Sequence, residues 1–546
     1  MTNGGALLAR CLQAQGVTRA FCVPGESYLA LLDGLHGGPI DVIVARHEGG
    51  AAMMAEADGK LTGRPGIAMV TRGPGAANAA CGVHVAQQDS TPMILLVGQI
   101  GLSMGGRDAF QEVDYRAMFG GMAKWVDEIR DARRIPEILS HAFHVAMSGR
   151  PGPVVLALPE DMLSRRVSAA DLPPPGPAAL VEGPECSQRQ ARAAAELLDG
   201  AQRPLVIAGG SRWEADAIAQ LQLFAQERDL PVAVTFRRQG LIDASHPNYA
   251  GDIGLGINPA LAQRVREADV VLLIGGRFSE SPSQGFSLFD IPAPRQTLIH
   301  VHPGAGEIGR IYRPALGVVA TPGSFLRAVR QIAPGREGFG AVTRAARQAY
   351  LDWSAEPPAG VGAVTMSAAI AHFCDQLDGS EIVTNGAGNY AIWLHRFLRY
   401  LPGMQLAPTS GSMGYGLPAA IAAGLRHRDR EVFAFAGDGC FQMSGMEFGV
   451  AAEHGLRLRA IVCDNGIYGT IRMHQEREYP GRVQATGMRN PDFAAWARSY
   501  GAAAFTVEAD SQFPAALRAA RAVGGPALVH LKLDPRDIAP GRTLDA

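Results

Sequence analysis

An aspartate and an asparagine near the C-terminal end have the types and the setting to hold a cation. An apolar run at residues 432–436 ends in Gly437-Asp438-Gly439, a helix-like segment follows at 446–454, and a second apolar run at 460–463 ends in Asp464-Asn465-Gly466. Strand, helix and strand in that order read as a βαβ unit with a right-handed crossover. Both strands then finish on one sheet edge, which sets Asp438 beside Asn465. A carboxylate and an amide oxygen together, next to glycines that bare backbone N–H groups, suit Mg²⁺ holding a diphosphate. Either tripeptide alone is an ordinary turn former. Their occurrence at corresponding strand ends is what points to a site.

A second carboxyl group stands in a comparable position. Residues 41–45 read as a strand that runs into Arg46-His47-Glu48-Gly49-Gly50-Ala51-Ala52, and a small-residue helix is expected at 51–59. A carboxyl group placed there is expected to be partly desolvated, which raises its pKa. The plainer role is a glutamate interacting with a helix dipole at its N-terminus. His47 reads as structural, because no second metal-type ligand accompanies it.

Three α/β domains can position these groups. Strand-like runs are expected at 20–23, 41–45, 66–70 and 93–97, at 205–208, 232–235, 270–274 and 297–301, and at 382–384, 432–436, 460–463 and 527–531. They alternate with amphipathic helical stretches, as parallel α/β domains require. A Pro- and Ala-rich linker is expected at 166–188 and a weaker break at 334–362. The expected domains are 1–165, 189–335 and 361–546.

At 546 residues, 47% hydrophobic and 19% charged, the chain can bury large cores. A formal net charge of −2 supplies no global basic field, so neither nucleic acid nor an anionic membrane is an expected partner. Seven scattered cysteines without a CxxC pair indicate neither a disulfide framework nor a zinc site. The chain shows no signal-peptide pattern and no apolar run of about 18 residues, and a cytoplasmic location is expected.

The Gly437-Asp438-Gly439 and Asp464-Asn465 pair resembles the cofactor signature of thiamine-diphosphate-dependent enzymes, with Asp464 departing from the family's first Asn. The resemblance is closest to the acetolactate synthase branch. It rests further on 46–51, Thr71-Arg72-Gly73-Pro74-Gly75-Ala76-Ala77-Asn78, 89–93, 108–112, 148–154 and 411–420. It implies pyrimidine-binding, central and diphosphate-binding domains. Mg²⁺ would be held by Asp438, Asn465 and the Ile467 carbonyl, with Gly437, Gly439, Cys440, Tyr468 and Gly469 around the cofactor. Gly411 would offer its carbonyl to the aminopyrimidine and Met413 would prop the bent cofactor. Gly388, Asn389 and Tyr390 fall where the family has a Gly-Gln-His segment at the diphosphate, and Tyr390 for His is a change. Glu48 matches the glutamate that activates the cofactor at N1′, promoting the imino tautomer that takes the C2 proton. The cofactor then serves as electron sink for decarboxylating a 2-keto acid.

The resemblance also implies at least a homodimer, or a tetramer, with active sites at the subunit interface. Gly25, Phe110 and Gln111 match its substrate side. His474 stands where the branch has a Trp that helps select the acceptor, so the second substrate stays open. The branch's central domain binds FAD. Here the corresponding segments are 251–258, 276–280 and His300-Val301-His302, and the last two lack the family's Asp-containing versions, which leaves FAD absent or weakly held. Nothing indicates whether a regulatory subunit is recruited. The readings left standing are a carboligase using pyruvate or a similar 2-keto acid, and a decarboxylase, lyase or C–C hydrolase on the same cofactor. A dehydrogenase is disfavoured, because no GxGxxG opens a helix after a strand with an acidic residue about 20 positions on.

Overall fold

A computed structural model describes residues 2–168, 170 and 173–544. Asp171 and Leu172, in the expected linker, lie outside the described residues, as do residues 1, 545 and 546 at the ends of the outer domains. Three sheets of six parallel strands carry the fold. The first runs, edge to edge, Asp41–Val44, Arg19–Cys22, Gly66–Val70, Met93–Gln99, Pro153–Pro159 and Trp125–Glu128. The central one runs Tyr249–Ile253, Val232–Thr235, Pro204–Ala208, Val270–Ile274, Thr297–His302 and Leu316–Val319. The third runs Gln405–Leu406, Ile382–Asn385, Val432–Gly437, Leu458–Asp464, Ala527–Lys532 and Ala503–Val507. Interior strands are buried over most or all of their length, Met93–Gln99 and Leu458–Asp464 along the whole of it. That is why they read as continuous apolar runs rather than alternating ones.

The first and third sheets share one strand order: second, first, third, fourth, sixth and fifth in chain sequence. In both, the order reverses direction between the first and third strands, and ligands of open α/β sheets bind beyond the strand ends at such a point. For the first sheet those ends lead into Gly25 and Thr71. For the third they lead into Gly386 and Asp438. The central sheet has the order third, second, first, fourth, fifth and sixth, and reverses between Pro204–Ala208 and Val270–Ile274.

The chain packs as two compact units. One comprises Met1–Glu182, Pro408–Asp429 and Phe441–Leu458, built on the first sheet. The other comprises Gly183–Ala407, Arg430–Cys440 and Arg459–Ala546, with the central and third sheets. Helix Gly416–Arg426 packs within the first unit against helix Glu48–Thr62. No helix among the described residues is long and apolar enough to cross a membrane.

Two local expectations need correction. The helix expected at 446–454 is a short 3₁₀ turn, Gly445–Glu447, followed by Phe448–Glu453. Asp438, read as part of a turn, instead opens a helical segment, Asp438–Gln442. A helix start directs free backbone N–H groups and positive dipole charge at whatever lies before it.

Candidate active site

Glu48 is the first residue of helix Glu48–Thr62, which follows strand Asp41–Val44 after a three-residue turn. His47 caps the helix, its Nδ1 accepting the Gly49 N–H at 3.0 Å, so the structural role expected for it holds. The helix lies close against helix Pro74–Asp89 because both faces are made of small residues. A Cβ at Gly82 would stand 2.4 Å from the Ala52 Cβ, and one at Gly49 would stand 3.0 Å from the Cys81 Sγ. This close approach brings Asn78 Nδ2 to donate to Glu48 Oε2 at 2.9 Å, and leaves Oε1 3.3 Å from where a Cβ at Gly75 would be. Glu48 is half-buried, and its carboxylate sits over the first turns of helix Pro74–Asp89.

The turn at residues 71–75, just beyond strand Gly66–Val70, gathers the residues expected on the substrate side. Gly25 packs on Thr71, where a Cβ would stand 2.5 Å from the Thr71 Cβ. Ser27 Oγ and Thr71 Oγ1 share a hydrogen bond of 2.8 Å. Gly73 adopts φ +62° and touches Gln111, itself at φ +65°; a Cβ on Gly73 would meet the Gln111 Cβ at 2.8 Å. Phe110 projects outward and is 74% exposed.

The segment 408–416 belongs to the same unit. Asp89, fully buried, accepts the Thr409 N–H at 2.9 Å and the Thr409 hydroxyl at 2.7 Å. Tyr415 donates its hydroxyl to Glu56 Oε2 at 2.6 Å. Between these anchors Gly411 is exposed at φ +69° and Met413 is half-buried. Glu447, wholly buried, accepts the N–H of His47 at 2.9 Å and that of Arg46 at 3.1 Å. Burial pushes its carboxyl up to about 7. No motif marked Glu447, because it meets its partners only through the fold.

In the other unit, Asp438 is 3% exposed at the end of strand Val432–Gly437. Its Oδ1 accepts the Gly439 N–H at 2.9 Å, and its Oδ2 accepts the Gly466 N–H at 2.9 Å and the Asn490 amide at 2.6 Å. Asp438 therefore does lie against the 464–467 turn. Asn465 Oδ1 accepts the Ile467 N–H at 3.3 Å, and Tyr468 donates its N–H to the Thr486 carbonyl. Gly439 lets the Tyr468 ring approach, since a Cβ there would stand 2.7 Å from the ring edge; a Cβ on Gly469 would lie 3.3 Å from Asn465 Nδ2. Tyr390 packs its ring against Gly388 and Gly437, accepts the Gly386 N–H at 3.0 Å, and contacts Cys440 Sγ at 3.8 Å. Asn389 Oδ1 accepts the Thr470 hydroxyl at 2.8 Å. His474 is exposed on helix Gly469–Glu478.

Asp464 turns out to be an anchored ion. Its Oδ2 pairs with His530 Nε2 at 2.7 Å and accepts Lys532 Nζ at 3.0 Å, and its Oδ1 accepts the Asn490 amide at 2.6 Å. Burial alone would raise its pKa, but the hydrogen bonds from His530, Lys532 and Asn490 outweigh that and hold it well below the usual carboxylate range. Among the described residues no such cation pairs with Asp438. Burial pushes its carboxyl up to about 6, against hydrogen bonds from Asn490 and Gly439. No cluster of three or more His, Cys, Asp or Glu residues suited to a metal occurs among the described residues.

Three parallel α/β domains, two of them sharing a strand order with polar residues at their direction-reversal points, are matched along the chain by the domains of thiamine-diphosphate enzymes. Residues 2–118 match the thiamine pyrophosphate enzyme N-terminal TPP binding domain, 191–329 the central domain and 386–531 the C-terminal TPP binding domain. The chain belongs to this family. It is 32% identical to the acetolactate synthase large subunit of Parasynechococcus marenigrum (strain WH8102), over 91% of this chain and 82% of that protein. It is 29% identical to the acetolactate synthase isozyme 2 large subunit of Escherichia coli (strain K12), over 97% and 96% of the two chains. The acetolactate synthase large subunit of Lactococcus lactis subsp. lactis (strain IL1403) is also 29% identical, over 92% and 87%.

Proposed function

We propose that the protein is an acetolactate synthase-like carboligase, which decarboxylates pyruvate or a similar 2-keto acid and transfers the hydroxyalkyl unit to a second carbonyl. The observation that carries this reading is the convergence of Glu48, Gly25, Phe110 and Gln111 on the single turn at 71–75. Thiamine diphosphate, when bound, supplies the electron sink for decarboxylation. Glu48 holds a proton for exchange with the aminopyrimidine N1′, and Asn78 fixes the carboxylate in place. Gly411 and Met413 line the pyrimidine side. Asn389, Gly437, Gly439, Cys440, Tyr468 and Gly469 line the diphosphate side.

Mg²⁺ fits the residues present. Asp438 is a desolvated carboxylate with no cation beside it among the described residues, and Asp438, Asn465 and the Ile467 carbonyl would hold a divalent ion that would supply that charge. FAD does not fit in the same way. His300 and His302 stand in one of the segments whose Asp-containing version is lost, and they are buried and bonded to the Gly276 and Gly304 backbone. No step is assigned to flavin. An absorption spectrum after reconstitution with FAD tests whether flavin is absent or weakly held.

The reading includes a homodimer or homotetramer in which Glu48 of one protomer serves the diphosphate residues of another. It assigns the domains at 1–165, 189–335 and 361–546 to pyrimidine, central and diphosphate roles. Product analysis with thiamine diphosphate, Mg²⁺ and pyruvate tests the activity. Acetolactate supports carboligation. Acetaldehyde without a C–C product indicates the decarboxylase or lyase alternative.

A further inference from the structure

Arg72 occupies the centre of the 71–75 turn and has no part in the chemistry assigned above. It is only 8% exposed, just beyond the end of strand Gly66–Val70. Its guanidinium faces three segments. Nη1 pairs with Glu160 at 3.2 Å, Nη2 with Glu26 at 3.4 Å, and Nε donates to the Phe110 carbonyl at 3.3 Å. Glu26 follows Gly25 directly, and Glu160 begins the helix after strand Pro153–Pro159.

The planar fork of an arginine can serve three acceptors from fixed directions, which a lysine ammonium cannot do with the same geometry. The Phe110 carbonyl is the only one of the three that belongs to the outward loop. Glu112 braces that loop by accepting the Gly106 N–H at 2.6 Å and the Ala109 N–H at 2.9 Å, and at its far end Gln99 Nε2 donates to the Val113 carbonyl at 2.9 Å. Glu112 thus ties the loop to itself, whereas Arg72 ties its Phe110 carbonyl to the turn beyond strand Gly66–Val70. The two flanking carboxylates, 67% and 36% exposed at the side chain, keep the guanidinium from turning out to solvent.

We infer that Arg72 is a positioning residue that sets substrate selection by pinning the Phe110–Gln111 segment to the turn shared with Gly25 and Glu48. The inference rests on the carboligase or lyase reading for its kinetic consequence, and on geometry alone for its structural one.

The test uses the full-length holoenzyme with two variants, Arg72→Met and Arg72→Lys, and two readouts. Hydrogen–deuterium exchange of peptides spanning 105–113 is expected to quicken by about tenfold in Arg72→Met, and by less in Arg72→Lys, which keeps the charge. The KM for the 2-keto acid is expected to rise by about tenfold in Arg72→Met while kcat changes much less, with partial rescue in Arg72→Lys. Unchanged exchange in both variants overturns the pinning. Faster exchange with unchanged KM overturns the role in selection. Should Arg72→Met not fold, Arg72→Lys alone decides on the same two readouts. If the wild-type enzyme consumes no 2-keto acid, the carboligase reading fails, while exchange still decides whether Arg72 holds the loop.

Discussion

The carboxylate of Glu447 accepts the backbone N–H of His47 at 2.9 Å, one residue before Glu48. A second N–H, from Arg46, reaches the same carboxylate. The start of the helix that carries the proposed acid–base group is therefore held by a buried acid that the sequence does not flag. Burial raises the folded-state pKa of Glu447 from an ordinary 4.5 to about 7. A group raised in this way contributes stability below its unfolded pKa and loses it as pH climbs through the folded value. Glu447→Gln keeps an oxygen for both N–H groups and cannot ionise. Wild-type protein should lose on the order of 2 kcal/mol relative to Glu447→Gln between pH 5 and pH 8. Denaturant unfolding of both proteins across that range checks this; a constant difference would show that Glu447 does not titrate there.

Gly50 faces the same carboxylate. A Cβ at this position would stand 2.2 Å from Glu447 Oε1. In a helix interior, Gly→Ala ordinarily gains about 1 kcal/mol. Here the displaced buried acid should reverse the sign, leaving Gly50→Ala less stable by about 1–3 kcal/mol. Pairing it with Glu447→Ala, which removes the clash, should recover most of the loss relative to Glu447→Ala alone. A Gly50→Ala protein more stable than wild type would contradict the packing.

Glu48→Gln retains shape and the neighbourhood of Asn78 while removing the exchangeable acid. It should reduce C2 proton exchange of bound thiamine diphosphate by at least about a hundredfold, with cofactor binding changed little. Exchange measured by NMR after acid quench reads this directly. Undiminished exchange would remove Glu48 from the activating role.

The two aspartates of the other unit should behave differently. Asp438→Asn should weaken Mg²⁺-dependent retention of thiamine diphosphate by about tenfold or more, with little change in the unfolding of the apo protein. Asp464→Ala strips the partner from buried His530 and from Lys532, and should destabilise the apo protein by about 2–4 kcal/mol. Titration calorimetry and apo unfolding separate the two. Equal effects on stability would mean that Asp438 is also a structural ion.

Much of the fold could be read from apolar runs because interior parallel strands are buried on both faces. The strands at 66–70, 232–235 and 270–274 have the bounds expected of them. The strands not foreseen are largely edges. Trp125–Glu128, Leu316–Val319 and Ala503–Val507 are only partly buried, and their runs are short or broken by polar residues and glycine. Pro153–Pro159 is a buried strand hidden by the prolines at its two ends. The common strand order of the outer sheets left no repeat in the sequence, since many side-chain sets satisfy one topology.

At the candidate site, residues in local motifs were legible and their long-range partners were not. The Asp438 contact with the 464–467 turn follows from strand-end geometry. Asn490 arrives from a loop and His530 and Lys532 from strand Ala527–Lys532, and only the fold reveals that they neutralise and orient Asp464. That network also accounts for an aspartate at a position where the family pattern has an asparagine: a cation and a histidine stand ready for the extra charge.

The close contact between helices Glu48–Thr62 and Pro74–Asp89 works like a lock with its key already turned. With hydrogen or methyl groups at Gly49, Ala52 and Gly82, the helices fit in one rotational setting, and nearly any larger group on either would turn Glu48 away from Asn78. Evolution or engineering of this enzyme toward new substrates therefore has little freedom along that seam. A mutational library should accumulate tolerated changes in the 105–112 loop and leave the seam monochrome, whatever substrate is selected for.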